Sequence, residues 1–357
     1  MSIAVLPIEN LSGGPAPLKA MRGSLVEKLR AEGFSVLDDK TLEDFMARHR
    51  VRYVGGIDAA TANAFKGETK VDAVLITSLE FYNEVFPAKV SVIARLVSAG
   101  GAPEILWSGS AGMAGDDSPG ILGIGLIRDP AKLRDMVFYR IACSLGESFS
   151  ARAEKETGIE RPGVSESGED HFSVSAGGGP SDWQRHMPKV SYHFPFMEPG
   201  RKYTVAVVPF FNDSSRRNAG EIMLLHFVDE LESRGNFAVI EPGLVRQKML
   251  EMRIIMNEGI SLADADLIYN SLNADLIMTG KVLDYSDYVS SWGKPIVDFS
   301  AMLIEKKSER VVWASRSSNT GNDGVFFFDM GKINTANVLA SEMAQSVVKD
   351  ISRESRE

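Results

Sequence analysis

Ile3-Ala4-Val5-Leu6-Pro7-Ile8-Glu9-Asn10-Leu11-Ser12 opens the chain, and Val205-Ala206-Val207-Val208-Pro209-Phe210-Phe211-Asn212-Asp213-Ser214 answers it at an offset of 202 residues. Each stretch is a β-rich apolar run that ends, after a proline, in a polar turn holding Asn and Ser. Three further blocks recur in the same order. Glu27-Lys28-Leu29-Arg30 matches Asp229-Glu230-Leu231-Glu232 at the same offset. Val71-Asp72-Ala73-Val74-Leu75-Ile76-Thr77 matches Ala274-Asp275-Leu276-Ile277-Met278-Thr279-Gly280 at 203, and Trp107-Ser108-Gly109-Ser110 matches Trp313-Ala314-Ser315-Arg316 at 206. Offsets that drift this little are what loop insertions leave between two copies of one unit. The expected organisation is therefore a tandem pair, residues 1–157 and 201–357, with a Gly/Pro/Ser-rich linker over 158–200.

The copies read alike. Amphipathic helices near 17–32 and 219–234 end at Gly33 and Gly235, as helix C-termini prefer. Short strands follow (Phe34–Leu37; Phe237–Ile240), then helices starting near Lys40 and Pro242. A short third helix precedes Asp72 and Asp275, which are expected to cap the turn before them. Three strands come in close succession, near 71–82, 88–98 and 104–112, and again near 275–285, 295–305 and 310–318. Val90, Val92, Ala94 and Leu96, like Val297, Phe299, Ala301 and Leu303, alternate as half-buried antiparallel strands do. Leu133, Val137, Ile141, Leu145 and Phe149 put a closing helix on the first copy; Leu339, Met343, Val347 and Ile351 do so on the second. The order β-α-β-α-(α)-β-β-β-α predicts an α/β fold, a mixed sheet flanked by helices. Duplication further suggests copies that face each other like a homodimer. In the linker, Gly177-Gly178-Gly179-Pro180 predicts an irregular stretch, whereas Val190–Phe196 alternates and is expected to dock as an extended segment.

The 357 residues are 44% hydrophobic and 24% charged, a globular composition, with a net charge of −9. That balance excludes nucleic acid as an expected partner, because displacing counterions from phosphate needs a basic face. It also opposes attraction to anionic lipid. No apolar run is long enough for a transmembrane segment. Met1-Ser2-Ile3 runs straight into a strand without a basic-then-apolar leader, which fits a cytoplasmic chain or a mature one whose export signal has been removed. The single cysteine, Cys143, is expected as a small buried side chain.

The two Pro-and-Asn/Ser openings resemble the "IAVLPF-x-N-x-S" start of the TolB amino-terminal-like domain. Opening and element order are also similar to the curli secretion channel subunit CsgG and to the lipoprotein activators of penicillin-binding proteins. The resemblance covers both copies. It implies a non-enzymatic factor, periplasmic or on the inner face of the outer membrane, that works in assembly, secretion or cell-wall synthesis by contacts with envelope proteins or by self-association. It also implies a lipid anchor on the native precursor. The loops Asn83–Ala88 and Tyr288–Pro295 are too short for the membrane hairpins of a pore. The alternative is a small-ligand-binding or regulatory module, in the cytoplasm if the chain is not exported.

No catalytic, metal or cofactor motif stands out: G-x-x-x-x-G-K-[ST] and G-x-S-x-G are absent, and no cofactor is expected. His171, His186 and His193 match no metal spacing and are read as solvated. Asn10, Ser12, Asn212 and Ser214 follow the first strand of each copy, where an open α/β sheet often holds a ligand; equally, Asn and Ser there close turns. Apolar loops precede each last helix. Ile121, Leu122 and Ile124 in one, and Phe326, Phe327 and Phe328 in the other, either pack under that helix or offer a contact surface.

Overall fold

A computed structural model describes residues 1–117, 125–157, 185–254, 259–288, 293–323, 325 and 331–353. The first half runs β1 (Ser2–Val5), β2 (Glu9–Asn10), α1 (Leu18–Ala31), β3 (Ser35–Val36), α2 (Asp39–His49), α3 (Ala59–Ala64) with a π turn at Phe65–Thr69, β4 (Ala73–Asn83), β5 (Lys89–Ser98), β6 (Ile105–Ala114) and α4 (Pro130–Thr157). After β7 (Val190–His193), the second half gives β8 (Tyr203–Val207), β9 (Phe211–Asn212), α5 (Ala219–Glu232), β10 (Phe237–Val239), α6 (Pro242–Glu251), α7 (Leu262–Leu272), β11 (Leu276–Ser286), β12 (Ile296–Glu305), β13 (Arg310–Thr320) and α8 (Ala336–Arg353).

Two mixed sheets result, in an α/β fold with two sheet-containing halves. Their orders are β3-β1-β4-β5-β6, with β2 also on β4, and β10-β8-β11-β12-β13-β7, with β9 also on β11. β1 lies parallel between β3 and β4, because helices carry the chain between them, while β4, β5 and β6 form an antiparallel meander. β8, β10, β11, β12 and β13 repeat this pattern. Asp72 and Asp275 act differently from expectation. Rather than capping the preceding turn, each reaches across to the first strand of its half: Asp72 accepts from the Ser2 amide at 2.9 Å, Asp275 from the Thr204 amide at 2.9 Å.

In each half one face of the sheet packs on the first and last long helices. Val90, Val92, Ala94 and Leu96 of β5 meet Met21, Leu25, Val137 and Ile141 of α1 and α4. α2 and α3 cover only one end of the back face, around Phe45, Phe65, Val74 and Ile76. The rest of that back is covered by the second half. Ile93 and Ile105, pointing away from α1 and α4, join one apolar cluster with Leu225, Phe227, Leu339 and Met343 of α5 and α8. The α5/α8 pair thus lies between the two sheets. The halves do not face each other as a homodimer would; one presents helices, the other the back of a sheet, so the contact is heterologous.

The end of the linker is ordered onto the second half. β7 pairs antiparallel with β13. His186 is buried 3.0 Å from Glu342, and His193 lies 3.2 Å from Asp350, both acids on α8. These two histidines are docked rather than solvated; His171 lies outside the described residues. Cys143 is half-buried, its thiol 3.5 Å from Glu32 and pushed up in pKa, chiefly by burial.

Candidate functional site

The seam between the halves carries the densest buried polar chemistry. The alternation that turns Val90, Val92, Ala94 and Leu96 toward α1 and α4 turns Lys89, Ser91, Ile93 and Arg95 the other way, and all four are buried. Charged residues inside must be paired, and here the carboxylates that pair Lys89 and Arg95 come from the opposite half. Arg95 Nε is 3.0 Å from Glu241 Oε2 and its Nη2 3.2 Å from Oε1; Nη2 also donates to the Gly55 carbonyl. Glu241 stands just before α6 and accepts the Gly243 amide at 3.2 Å and the Ile57 amide at 3.4 Å. Burial opposes the Arg95 charge, but Glu241, with Tyr53 and Glu9, together more than offset this and raise its pKa. The backbones meet closely there. A Cβ on Gly56 would stand 2.7 Å from Gly243 Cα, so this crossing requires glycine.

A second cluster surrounds Glu80 at the end of β4. The Tyr285 hydroxyl donates to one carboxylate oxygen, Asn337 Nδ2 donates to the other at 2.5 Å, and His226 Nε2 lies 3.4 Å from it. Burial alone would raise the Glu80 pKa, yet His226, Tyr285 and Asn337 together hold it below the usual carboxylate value. Burial, with the Glu80 charge, pushes the Tyr285 phenol well up. In a third cluster Lys89 Nζ reaches Asp287 Oδ1 and the Asn334 carbonyl, both at 2.6 Å, and Asp287 Oδ2 accepts the Ala336 amide at the start of α8. Ser108 on β6 donates to Asp229 on α5 at 2.6 Å.

At one edge the seam opens into a cleft of about 170 Å³. Glu9 and Tyr53 line it from the first half, Glu221, Leu225, Arg246 and Met249 from the second. The Arg246 guanidinium lies 4.3 Å over the Tyr53 ring. Glu9 accepts from the Ser78 hydroxyl at 2.7 Å, and burial raises its pKa.

The four Asn and Ser residues picked from sequence lie in two matching loops. Asn10 Oδ1 accepts the Ser12 amide at 3.0 Å and hydroxyl at 2.6 Å, while Nδ2 donates to the Gly14 carbonyl at 2.8 Å. Asn212 does the same for Ser214 at 3.1 and 2.7 Å, and for the Arg216 carbonyl at 2.7 Å. Their polar atoms are engaged in closing the loops that hold them. The two loops touch each other, Asn218 of the second reaching the Leu11 carbonyl of the first at 3.4 Å. Ile121, Leu122, Ile124, Phe326, Phe327 and Phe328 lie outside the described residues. Among the described residues no group of three His, Cys, Asp or Glu side chains is placed to hold a metal ion, and no helix is long and apolar enough to cross a membrane.

Sequence reasoning missed Glu80, Lys89, Arg95 and Glu241. Its one available signal was the run Lys89-Val90-Ser91-Val92-Ile93-Ala94-Arg95-Leu96, whose second face is too apolar at Ile93 for a simply solvated strand.

No family model and no curated protein matches the chain. Solved structures do, and the three that follow each cover less than half of it. The PelC dodecamer from Paraburkholderia phytofirmans is 18% identical, with 44% of this chain and 97% of that chain covered and a TM-score of 0.29. Lipoprotein GNA1162 from Neisseria meningitidis is 26% identical over 40% of this chain and 98% of that one, TM-score 0.28. The LpoB C-terminal domain from Salmonella enterica is 10% identical over 33% and 83%, TM-score 0.25.

Proposed function

We propose that this chain is a non-enzymatic factor of the bacterial cell envelope, periplasmic or tethered at the outer membrane, that scaffolds an assembly or secretion complex through protein contacts. The resemblance of its two Pro-and-Asn/Ser openings to the TolB-like and CsgG-like domains motivates the compartment. The observation that carries the mode of action is the seam itself: the back of one sheet recognises the helix pair of a second unit. The corresponding back of the second sheet is left partly open, with Lys281, Ile296, Asp298 and Met302 half-buried and Arg316 exposed. It is the surface on which a further protein would dock.

The test uses the native, full-length gene product in its own cells, with a photoreactive amino acid in place of Met302. Recovery in the membrane or periplasmic fraction, an acylated N-terminal peptide, and light-dependent adducts with envelope proteins would support the proposal. A cytosolic protein with an unmodified N-terminus and no adducts would overturn it.

The cleft favours a second reading, a small-ligand module. Two carboxylates, Glu9 and Glu221, outnumber the one guanidinium of Arg246 around an apolar lining of Leu225 and Met249, which suits an organic cation with an apolar tail. Hexylammonium should then raise the Tm of the wild type more than hexanol does, and Glu221→Gln should abolish the difference. Equal responses to both compounds would discard this reading.

A further inference from the structure

The cleft at the edge of the seam already holds one cation of its own. Arg246 stands on the exposed side of α6, and its guanidinium lies 4.3 Å over the Tyr53 ring. Among the described residues that guanidinium makes no hydrogen bond and no ion pair, so nothing but the ring faces its charge. Glu221, half-buried in the first turn of α5, has no hydrogen-bond or ion-pair partner among the described residues either. A carboxylate taken partly out of water is stabilised by a cation or a donor, and this one has neither. Burial first, and the Glu221 charge as a lesser cause, raise the pKa of both Glu9 and Tyr53, so the three groups lie within electrostatic reach of one another. Arg95, fully buried in the seam, is engaged by Glu241 and does not serve these acids as a partner. Both acids are particular to this cleft. β9 opens with Phe211 where β2 opens with Glu9, and the first turn of α1 carries Lys19 where that of α5 carries Glu221.

We propose that the cleft binds an alkyl guanidinium, the chemistry of an arginine side chain, which takes the place of Arg246 on the Tyr53 ring, pairs with Glu221 and lays its apolar stem on Leu225 and Met249. Arg246 shows that this ring face accepts the planar cation, and Glu221 is the carboxylate that Arg246 does not reach. A guanidinium stacks on an aromatic face and presents a fork of N–H donors to a carboxylate. An ammonium is a compact point charge that cannot stack and gives up more hydration on entering an apolar cleft. The cleft, about 170 Å³, exceeds by roughly tenfold the space one water needs, enough for the stem and head of one such side chain. The proposal rests on the ligand reading of the cleft and narrows its organic cation to one class. Arg246 is then an internal competitor, exposed and able to swing outward when the ligand enters.

The test titrates the purified full chain with hexylguanidinium and with hexylammonium, followed by calorimetry. Wild type should bind hexylguanidinium more tightly than hexylammonium by about threefold or more, and Tyr53→Leu should make the two equal. Glu221→Gln should weaken hexylguanidinium by at least about tenfold. Arg246→Ala should strengthen it by about threefold, and strengthen hexylammonium less, because the competition is for the ring. Equal affinity of wild type for the two cations, or a preference that survives Tyr53→Leu, would overturn the proposal and leave the organic-cation reading standing. No binding of either compound at millimolar concentration would overturn both. The wild-type comparison decides without any variant, so a substitution that unfolds the chain does not blunt the test. Nα-acetyl-arginine N-methylamide separates the sources of the guanidinium. Binding as tight as that of hexylguanidinium assigns it to an arginine of a partner protein; binding of hexylguanidinium alone assigns it to a free small guanidine, and the guanidinium class holds under both.

Discussion

α1 and α5 are the same length and occupy the same station, yet they are buried differently. Of fourteen residues in α1, Met21, Leu25, Val26 and Leu29 are buried, a single stripe against one sheet. In α5 eleven of fourteen are buried, which a single stripe cannot accommodate. A helix apolar nearly all round is one with neighbours on several sides, and α5 has a sheet on each. The contrast continues residue by residue. Glu27 on α1 is exposed, while its counterpart Asp229 is buried enough for its pKa to rise and is held by Ser108 across the seam. Gly23 is exposed with open space around it, whereas Leu225 at the matching position is 5% exposed. One unit ends the stack with a solvated helix face; the other is built into its middle.

The sharpest way to break this comparison is to cut the seam where it is most deeply desolvated. Arg95→Met leaves Glu241 buried without its cation, and the expected loss is about 3–5 kcal/mol in chemical denaturation. Arg95→Met combined with Glu241→Gln should lose less than the sum of the two single changes, because no lone charge remains. A coupling energy near zero between the two positions would show that the pair does not hold the halves together. Next in size, Leu225→Ala should cost about 2–5 kcal/mol, since it opens a cavity between packed layers. A cost below about 1 kcal/mol would mean that the first half's sheet does not rest on α5 in solution.

Acidity separates the two helices in a third way. Glu230, at the position matching Lys28, accepts from Ser341 at 3.2 Å, and burial, with Asp229 beside it, pushes its carboxyl up to about 8. A carboxyl raised in the folded state keeps a proton that the unfolded chain has released. Between the ordinary value of 4.5 and about 8 the folded state therefore binds more protons, and stability falls as pH rises through that window. Glu230→Gln should remove this fall and gain on the wild type by roughly a few kcal/mol between pH 5 and pH 9. Denaturation curves with the same pH slope for both proteins would exclude it.

Much of the fold was legible because local chemistry and tertiary environment agree. The strand alternation at Val90–Leu96 and Val297–Leu303 and the fourfold spacing of the closing helices lie where the sheets and helices form. What was not legible is the relation between the halves. Ile222-Met223-Leu224-Leu225-His226-Phe227-Val228 has apolar residues at almost every phase, a sign of two-sided burial that an amphipathic reading passes over. The seam is harder still to read. Glu80, Lys89, Arg95, Glu241 and Asp287 stand singly on strands and at a helix start, and they become partners only when one sheet back meets a second unit. Spacing along the chain does not encode such a meeting. Asn10 and Asn212 were easier because their partners lie within four residues.

The smallest expected effect tests the open end of the stack. Gly23 sits inside α1, where glycine is less favourable than alanine by roughly 0.5–1 kcal/mol, and nothing lies within 4 Å of the position a Cβ would take. Gly23→Ala should therefore stabilise the protein by about that amount, measured as an increased denaturation midpoint at unchanged m-value. In the middle of the stack the same site belongs to Leu225, where losing side-chain volume is costly. One position thus carries opposite preferences in the two halves, set by whether a second sheet covers the helix. A loss of stability in Gly23→Ala would mean that the outer face of α1 is covered in solution, and that the first half, like the second, has a neighbour on that side.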